Sequence, residues 1–297
     1  MAEIIKNTVA VLGGDRRYMY VCENLAKMGY KVYRLCGVDK DELSENIESG
    51  AMDIVLPTVE YVILPMPVSK DNVNIFAPSF PENVSIDSCF RCINPESVVI
   101  GGCVTSVIGL KAAVNEIAIY DILENEELAI KNAIPTVEGA VELAINSTDK
   151  TLFGSKCLVI GYGRISKILA RVLKAMGARV TVTSRRGDHK AWIIADGYDY
   201  CYTLDIKKVI DDVDVVFNTA PDMVLTKGVL KNMKEKALII DLASGEGGTD
   251  FNSADELNIK AIHARALPGK TAPISSAQYI SEVASAYFEN HRGGGYL

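Results

Sequence analysis

The stretch Cys157-Leu-Val-Ile-Gly-Tyr-Gly-Arg-Ile-Ser166 decides the fold of the second half of this chain. Its apolar run predicts a buried strand, and Gly161 and Gly163 are spaced as in a Gly-x-Gly-x-x-Gly turn whose third glycine is replaced by Ser166. The apolar residues that follow are spaced as in a helix, and a second strand begins near Arg179, so the segment predicts one βαβ unit. In such a unit the third glycine serves packing, where serine is a small change. The pattern favours a turn that binds a dinucleotide over a purely structural turn.

The residues after the second strand of this unit indicate which dinucleotide fits. Ser184-Arg185-Arg186 stands there, and no Asp or Glu occurs between Gly177 and Gly187. A site selective for NAD carries an acid at this place, which binds the ribose 2′-hydroxyl. Hydroxyl and guanidinium donors suit a 2′-phosphate instead, and a hydrogen bond to such a charged group contributes about 1.5 to 3 kcal/mol. NADP is therefore the expected cofactor, the alternative being that the arginines only solvate a loop.

Loops after two later strands complete the predicted cofactor site. Parallel strands end at the same edge of an open α/β sheet, and ligands bind there. Each loop could also be a surface connection. The expected cofactor-binding residues are Gly161, Tyr162, Gly163, Arg164, Ile165, Ser184, Arg185, Arg186, Thr219, Ala220, Pro221 and Leu242.

Alternation of short apolar runs with helical patterns predicts two α/β domains in the 297 residues. The N-terminal domain is expected over 1–132 and the nucleotide-binding domain over 133–274. Helix 134–145 would connect them with Pro135 in its first turn, and a last helix over 275–290 could pack back on the first domain. Five strands are predicted in the first domain, over 9–12, 32–35, 61–64, 98–100 and 118–122. Six are predicted in the second, over 157–160, 179–183, 200–202, 215–218, 237–241 and 260–263.

Composition narrows the class of protein. The net charge of −7 argues against a general nucleic-acid binder, which needs a basic face. No signal-peptide pattern precedes the first strand, and the longest weakly polar stretch, 97–110, is too short to span a membrane. Seven scattered cysteines fit a reducing cytosol, and Cys89 and Cys92 lack the partners of a zinc site. A cytoplasmic protein without a metal is expected, with Arg292-Gly-Gly-Gly295 as a frayed tail.

Two further segments are candidates for binding anions. The turn Gly13-Gly14-Asp15-Arg16-Arg17 follows the first strand and could grip a carboxylate through backbone N–H groups and an arginine. A capped helix with two solvated arginines is the alternative. The predicted loop 267–276 offers Lys270, Thr271 and Ser275 for a second anionic group. Of the three histidines, His263 at a strand end is interpreted as structural.

These motifs together resemble the family of dipicolinate synthase A subunits. The resemblance rests on Gly13 to Arg17, Ile134-Pro-Thr-Val-Glu-Gly139, Asn218 to Pro221, Asp241 to Ser244, Gly247 to Phe251 and Leu267 to Pro273. It implies oxidation of a dihydrodipicolinate to pyridine-2,6-dicarboxylate with NADP, in the mother cell of an endospore-forming bacterium, beside the flavoprotein-like B subunit of dipicolinate synthase. It also implies a formate/glycerate dehydrogenase-like fold, with a flavodoxin-like substrate domain before a Rossmann domain, and a homodimer or larger assembly is expected.

The resemblance leaves the catalytic group open. Related hydroxy-acid dehydrogenases carry a histidine before the last helix, where this sequence has Pro268-Gly-Lys270. Aromatisation supplies driving force, so the protein would contribute mainly orientation. Lys270 is the candidate catalytic residue, and the candidate substrate ligands are Gly13, Gly14, Asp15, Arg16, Arg17, Thr136, Lys270, Thr271 and Ser275, drawn from two loops expected to flank one cleft. Oxidation of another small dicarboxylate or keto acid, or a regulatory role without chemistry, are the alternatives.

Overall fold

A computed structural model describes residues 3–37 and 46–292 of the chain, and these form two compact units. The first unit comprises the residues up to Lys131 together with those from Ala272 onward. The second unit is Asn132–Thr271.

Within its described residues, the first unit holds a parallel sheet of six strands in the order β3-β2-β1-β4-β5-β6. The sequence predicted five, because the short edge strand β3 buries only Ile47 and shows no apolar run. Without β3 the order is the flavodoxin order, in which the chain adds strands first on one side and then on the other. The strands are β1 (Ile5–Leu12), β2 (Lys31–Leu35), β3 (Ile47–Ser49), β4 (Val59–Ile63), β5 (Val98–Gly101) and β6 (Ile119–Asp121).

Both faces of this first sheet are buried, as expected for parallel strands. Val9 and Val11 of β1 face one core and Ala10 and Leu12 face the other. The last helix covers the first of these faces, where Phe288 is fully buried. The helices are α1 (Arg16–Lys27), α2 (Met52–Val55), α3 (Ile86–Cys92), α4 (Ser106–Val114) and α11 (Pro273–Arg292). Of the predicted tail, Arg292 ends α11 and the rest lies outside the described residues.

The second unit holds a parallel sheet of six strands in the order β12-β11-β10-β7-β8-β9, counted over the residues described. In chain order this is the doubly wound Rossmann arrangement that the sequence predicted. The strands are β7 (Lys156–Ile160), β8 (Arg179–Ser184), β9 (Asp199–Tyr202), β10 (Val215–Asn218), β11 (Leu238–Asp241) and β12 (Lys260–His263). Its helices are α6 (Arg164–Ala175), α7 (Gly187–Ala195), α8 (Lys227–Leu230), α9 (Phe251–Glu256) and α10 (Leu267–Thr271).

Two helical segments differ from the sequence prediction. Helix α5 (Glu126–Ser147) begins eight residues before the expected start, so Pro135 lies in its interior instead of its first turn. An interior proline removes one helix hydrogen bond, and burial of Ala133, Val137 and Ala140 favours the helix despite that loss.

The second difference concerns the predicted loop 267–276. It is largely helical, since α10 occupies Leu267–Thr271 and α11 starts at Pro273. Helix α10 packs on α5 at Gly139, where a Cβ would lie 2.5 Å from Thr271 Oγ1. Gly139 is therefore a packing requirement within the second unit. Among the helices described, none is both long and apolar enough to cross a membrane.

Candidate dinucleotide and anion sites

Strand register brings the predicted cofactor residues to one edge of the second sheet. Ile160 pairs with Thr183 on one side and with Asn218 on the other, and Asn218 pairs with Asp241. The loops that follow these four positions therefore start side by side. The twelve residues that the sequence assigned to the cofactor lie in these loops, at the end of β8 and in the first turn of α6.

Gly161 and Gly163 of the first loop have different environments. Gly161 has φ 100°, and a Cβ there would lie 2.6 Å from Thr219 Oγ1, so both backbone and space require glycine. A Cβ at Gly163 would meet no protein atom within 4 Å. Gly163 is the N-cap of α6, and no side chain caps that terminus. The N-cap thus offers no side chain to the first N–H groups of α6, and N–H groups at a helix N-terminus suit a phosphate.

Ser166, in place of the third glycine, links two loops of the site. It is fully buried, and its Oγ lies 2.7 Å from Thr219 Oγ1. Because the Thr219 hydroxyl donates to the Ile160 carbonyl at 2.8 Å, the Ser166 hydroxyl is the donor between the pair. The serine therefore adds a hydrogen bond that a glycine could not make.

Ser184 is the last residue of β8 and Arg185 and Arg186 follow it, and each of the three has a protein partner. Arg185 pairs with Asp222, and Arg186 pairs with Asp188 through Nη2 and Oδ2 at 2.6 Å. The Arg186 guanidinium lowers the pKa of Asp188 to about 2. All four charged side chains are exposed, and exposed ion pairs contribute little. The arginines can therefore exchange these carboxylates for a phosphate at small cost.

His189 is a residue of this site that the sequence argument missed. Its Nδ1 lies 2.8 Å from Ser184 Oγ, and its ring meets the Tyr162 ring edge-on with centroids 5.3 Å apart. The only sequence signal was its place in the first turn of the helix after Arg186. The Tyr162 hydroxyl donates a hydrogen bond to Asp196 Oδ2 at 2.6 Å. Burial is the main cause that raises the pKa of Tyr162, and this hydrogen bond adds to it, so Tyr162 stays protonated.

Asp241 organises the loop on the other side of the site. Its fully buried carboxylate accepts from Thr249 Oγ1 at 2.6 Å, from Gly248 N at 2.9 Å and from Asn218 Nδ2 at 3.0 Å. Leu242 N also donates to the Asn218 carbonyl at 2.7 Å. A buried carboxylate with this many donors is satisfied, so Asp241 holds the loop in place and leaves the cofactor contacts to its neighbours.

In the first unit, Arg17 and Asp15 satisfy each other. Asp15 caps α1 by accepting from Arg17 N at 3.1 Å, and the Arg17 guanidinium donates to both Asp15 oxygens and to the Met66 carbonyl at 3.0 Å. Burial would lower the pKa of Arg17, but the bond to Asp15 and the charges of the neighbouring acidic groups together outweigh it, so the pKa is raised. Arg17 is buried, so its guanidinium holds the turn together.

Arg16 has a different environment from its neighbour. It is exposed and makes no ion pair with any residue that the structure describes. The turn before it is fixed, since Gly13 and Gly14 both have positive φ and a Cβ at Gly14 would overlap the Tyr18 ring at 2.2 Å. Arg16 is thus the available cation at a rigid turn.

The remaining candidates lie in both units. Lys270 is exposed at the end of α10, and Thr136 donates its hydroxyl to the Asn132 carbonyl within α5 at 2.8 Å. Thr271 packs on Gly139 in the second unit, whereas Ser275 is exposed in the first. The predicted anion-binding loop therefore crosses the unit boundary at Thr271.

Two other titratable groups, His263 and Cys89, have contacts typical of structural residues. His263 stacks on Phe251 with centroids 5.1 Å apart and accepts from Arg265 Nε at 3.0 Å. Cys89 is buried, and burial raises the pKa of its thiol. Within the described ranges, no group of three or more His, Cys, Asp and Glu residues could hold a metal ion.

Comparisons with known families cover both halves of the chain. Residues 8–123 match the family model of the N-terminal domain of the dipicolinate synthase A subunit. Residues 136–267 match that of the D-isomer specific 2-hydroxyacid dehydrogenase NAD binding domain. The second match supports a nicotinamide dinucleotide as cofactor and an oxidoreductase role.

Full-length relatives agree with these matches. The dipicolinate synthase A subunit of Bacillus subtilis (strain 168) is 33% identical over 280 residues, which cover 93% of this chain and 94% of that protein. The crystal structure of the same dipicolinate synthase component from Bacillus subtilis has a TM-score of 0.89 and 31% identity, covering 98% of this chain and 99% of that chain. That of the dipicolinate synthase A subunit from Bacillus halodurans has a TM-score of 0.90 and 28% identity, covering 96% and 99%. The two-domain α/β fold predicted from the sequence is confirmed.

Proposed function

Because the chain belongs to the family of dipicolinate synthase A subunits, we propose that it oxidises dihydrodipicolinate to dipicolinate with NADP. Family membership confirms the resemblance seen in the sequence. It also supports pairing with the B subunit of dipicolinate synthase, since the family name is that of one component of a larger enzyme. By the same argument, the reaction belongs to the mother cell of a spore-forming bacterium.

One observation carries the choice of NADP: Ser184, Arg185 and Arg186 stand where a site selective for NAD has an acid. The backbone around them fits a dinucleotide. The open space at Gly163 and the α6 terminus without a side-chain cap leave room and donors for a pyrophosphate. A 2′-phosphate would then find two guanidinium groups held only by exposed carboxylates.

The reaction removes one hydride and one proton from the dihydropyridine ring. When bound, a nicotinamide ring accepts the hydride. The substrate carries two carboxylates, so the protein must hold anions and orient the ring. In the first unit, Arg16 and the N–H groups of the Gly13-Gly14 turn bind one carboxylate, while Arg17 and Asp15 keep that turn rigid.

In the second unit, Lys270 and Thr271 are proposed to bind an anionic group of the substrate. Lys270 is the candidate catalytic residue, through its positive charge and its protons. Ser275 of the first unit and Thr136 of α5 are further candidate ligands of the substrate. Since aromatisation drives loss of the proton, no dedicated base is required.

The experiment is to supply the purified chain with the dihydrodipicolinate precursor and NADP or NAD, with and without the B subunit. Reduction of NADP should accompany growth of the ultraviolet band of the aromatic pyridine dicarboxylate, and NAD should be the poorer cofactor. Nicotinamide reduction with a non-aromatic product would instead indicate another dicarboxylate or keto acid. Tight NADP binding without turnover in the presence of the B subunit would indicate a regulatory role, and would refute the proposed enzyme.

A further inference from the structure

His189 lies where the proposed 2′-phosphate would bind. Its Nδ1 is 2.8 Å from Ser184 Oγ, which also accepts from Arg186 N at 3.2 Å. His189 is half-buried in the first turn of α7, directly after the two arginines. No role for this histidine follows from the reaction itself.

We propose that His189 determines cofactor specificity by becoming protonated when the 2′-phosphate binds, which strengthens the preference for NADP over NAD as the pH falls. The proposal rests on the proposed function, since it assumes that NADP is the cofactor. It assigns to His189 a role in recognition and none in hydride transfer.

The hydrogen bond to Ser184 supports this assignment. Ser184 has one proton to donate and two lone pairs to accept with, and one lone pair is used by Arg186 N. If a neutral His189 accepts at Nδ1, the Ser184 hydroxyl must donate its only hydrogen bond to that nitrogen. A protonated His189 donates at Nδ1 instead, so the Ser184 hydroxyl is free to donate to a phosphate oxygen. The imidazolium also adds a positive charge beside the dianion.

The charges of the side chains around His189 bear on how much its own charge adds to phosphate binding. Arg185 with Asp222 and Arg186 with Asp188 sum to zero, so a positive charge on His189 adds to the attraction that the two arginines exert on the dianion when they exchange partners. The pKa of Asp188 is lowered to about 2, chiefly by Arg186, so its charge is constant near neutral pH. Protonation of the His189 imidazole therefore changes the charge of the site by one unit.

The other ionisable groups on the elements around His189 are two tyrosines, one aspartate and two lysines. Burial raises the pKa of Tyr162 and of Tyr200, whose hydroxyl donates to the Ser184 carbonyl at 3.1 Å, so both stay protonated. Asp196 accepts from Tyr162, and two lysines lie over neighbouring rings as cations. These lysines are Lys167, 5.1 Å from the Tyr162 ring centroid, and Lys190, 5.6 Å from that of Tyr200.

The test is calorimetric titration of the full chain with NADP and with NAD at pH 7, in two buffers of different ionisation enthalpy. The difference in heat gives the number of protons taken up. Wild type should take up more protons with NADP than His189→Gln does, by a fraction of a proton, and neither should take up protons with NAD. At pH 6.5, His189→Gln should bind NADP about tenfold more weakly and NAD unchanged.

Lys190→Gln is the matched control, because it removes a neighbouring positive charge and leaves His189 in place. It should keep the proton uptake of wild type. The 2′-phosphate itself titrates near pH 6, and this contribution is the same in all variants. Thermal unfolding checks that each variant is folded.

The outcomes separate the two proposals. Equal proton uptake by wild type and His189→Gln, with wild type still preferring NADP, would overturn the role of His189 and leave the choice of NADP intact. Wild type that binds NAD as tightly as NADP would instead refute the proposed cofactor.

Discussion

Ser166 Oγ lies 2.7 Å from Thr219 Oγ1 and joins helix α6 to the loop after β10. Thr219→Val should lower the free energy of unfolding by about 1 to 3 kcal/mol, because it leaves the buried Ser166 hydroxyl without its partner. Ser166→Ala should cost only about 1 kcal/mol, because Thr219 keeps its bond to the Ile160 carbonyl. Urea unfolding of both variants and of the double variant measures the coupling. The double variant should be more stable than the sum of the two losses predicts, and strict additivity would contradict the link.

Gly161 and Gly163 form a second matched pair. Gly161→Ala should destabilise the protein by more than about 2 kcal/mol, because φ is 100° and the Cβ would lie 2.6 Å from Thr219 Oγ1. Gly163→Ala should cost less than about 1 kcal/mol, the usual penalty for alanine at an N-cap. It should nevertheless weaken NADP binding at least tenfold, because the methyl occupies space meant for the pyrophosphate. Thermal unfolding and NADP titration of each variant distinguish these effects. Normal NADP affinity in Gly163→Ala would argue against a pyrophosphate at this turn.

Substitution of Arg17 should reduce stability, whereas substitution of Arg16 should reduce activity. Arg17→Ala removes the guanidinium donors to the Asp15 carboxylate and the Met66 carbonyl, leaving Asp15 only the backbone N–H of residue 17, and should lower the free energy of unfolding by about 3 to 5 kcal/mol. Arg16→Ala should change stability by less than about 0.5 kcal/mol but reduce turnover of dihydrodipicolinate in the presence of the B subunit. Steady-state rates and denaturant unfolding provide the two readouts. Wild-type turnover in Arg16→Ala would exclude Arg16 as a carboxylate ligand.

Asp188 should limit NADP affinity, because it occupies Arg186. Asp188→Asn should raise NADP affinity about two- to fivefold and leave NAD affinity unchanged, since an exposed ion pair contributes about 1 kcal/mol or less. The control is Asp205→Asn, which removes a carboxylate paired with Lys208 at 2.9 Å outside the site. An equal gain in the control would point to overall charge as the cause. No gain in Asp188→Asn would indicate that Arg186 does not contact the phosphate.

Asp214 should contribute acid sensitivity to the second unit. Burial would raise its pKa, but hydrogen bonds from Lys156 N and Lys150 Nζ and the charge of Lys234 lower it. A carboxyl group whose folded pKa is lowered stabilises the fold above its unfolded pKa, near 4, and loses that contribution as the pH falls. Asp214→Asn should therefore cost on the order of 1 kcal/mol at pH 7 and progressively less below pH 4 or so. Urea unfolding across this range measures the difference, which should not grow as the pH falls.

The site shows the limit of reasoning from neighbours in sequence. Asp222 pairs with Arg185 from the loop after β10, and His189 contacts Ser184 from the first turn of α7. Neither contact has a signature in residue spacing, because each depends on strand register and on side-chain orientation. Arg16 and Arg17 are adjacent and identical in type, yet one is exposed and the other buried.

The sequence by itself determined the alternation of strands and helices, the Rossmann order of the second sheet and the glycines of its first turn. It could do so because strands buried on both faces must be apolar and a positive φ favours glycine. Tertiary structure decided the edge strand β3, the interior position of Pro135 and the burial of Arg17. These depend on packing against residues distant in the chain, which offsets unfavourable local preferences and leaves no local pattern to read.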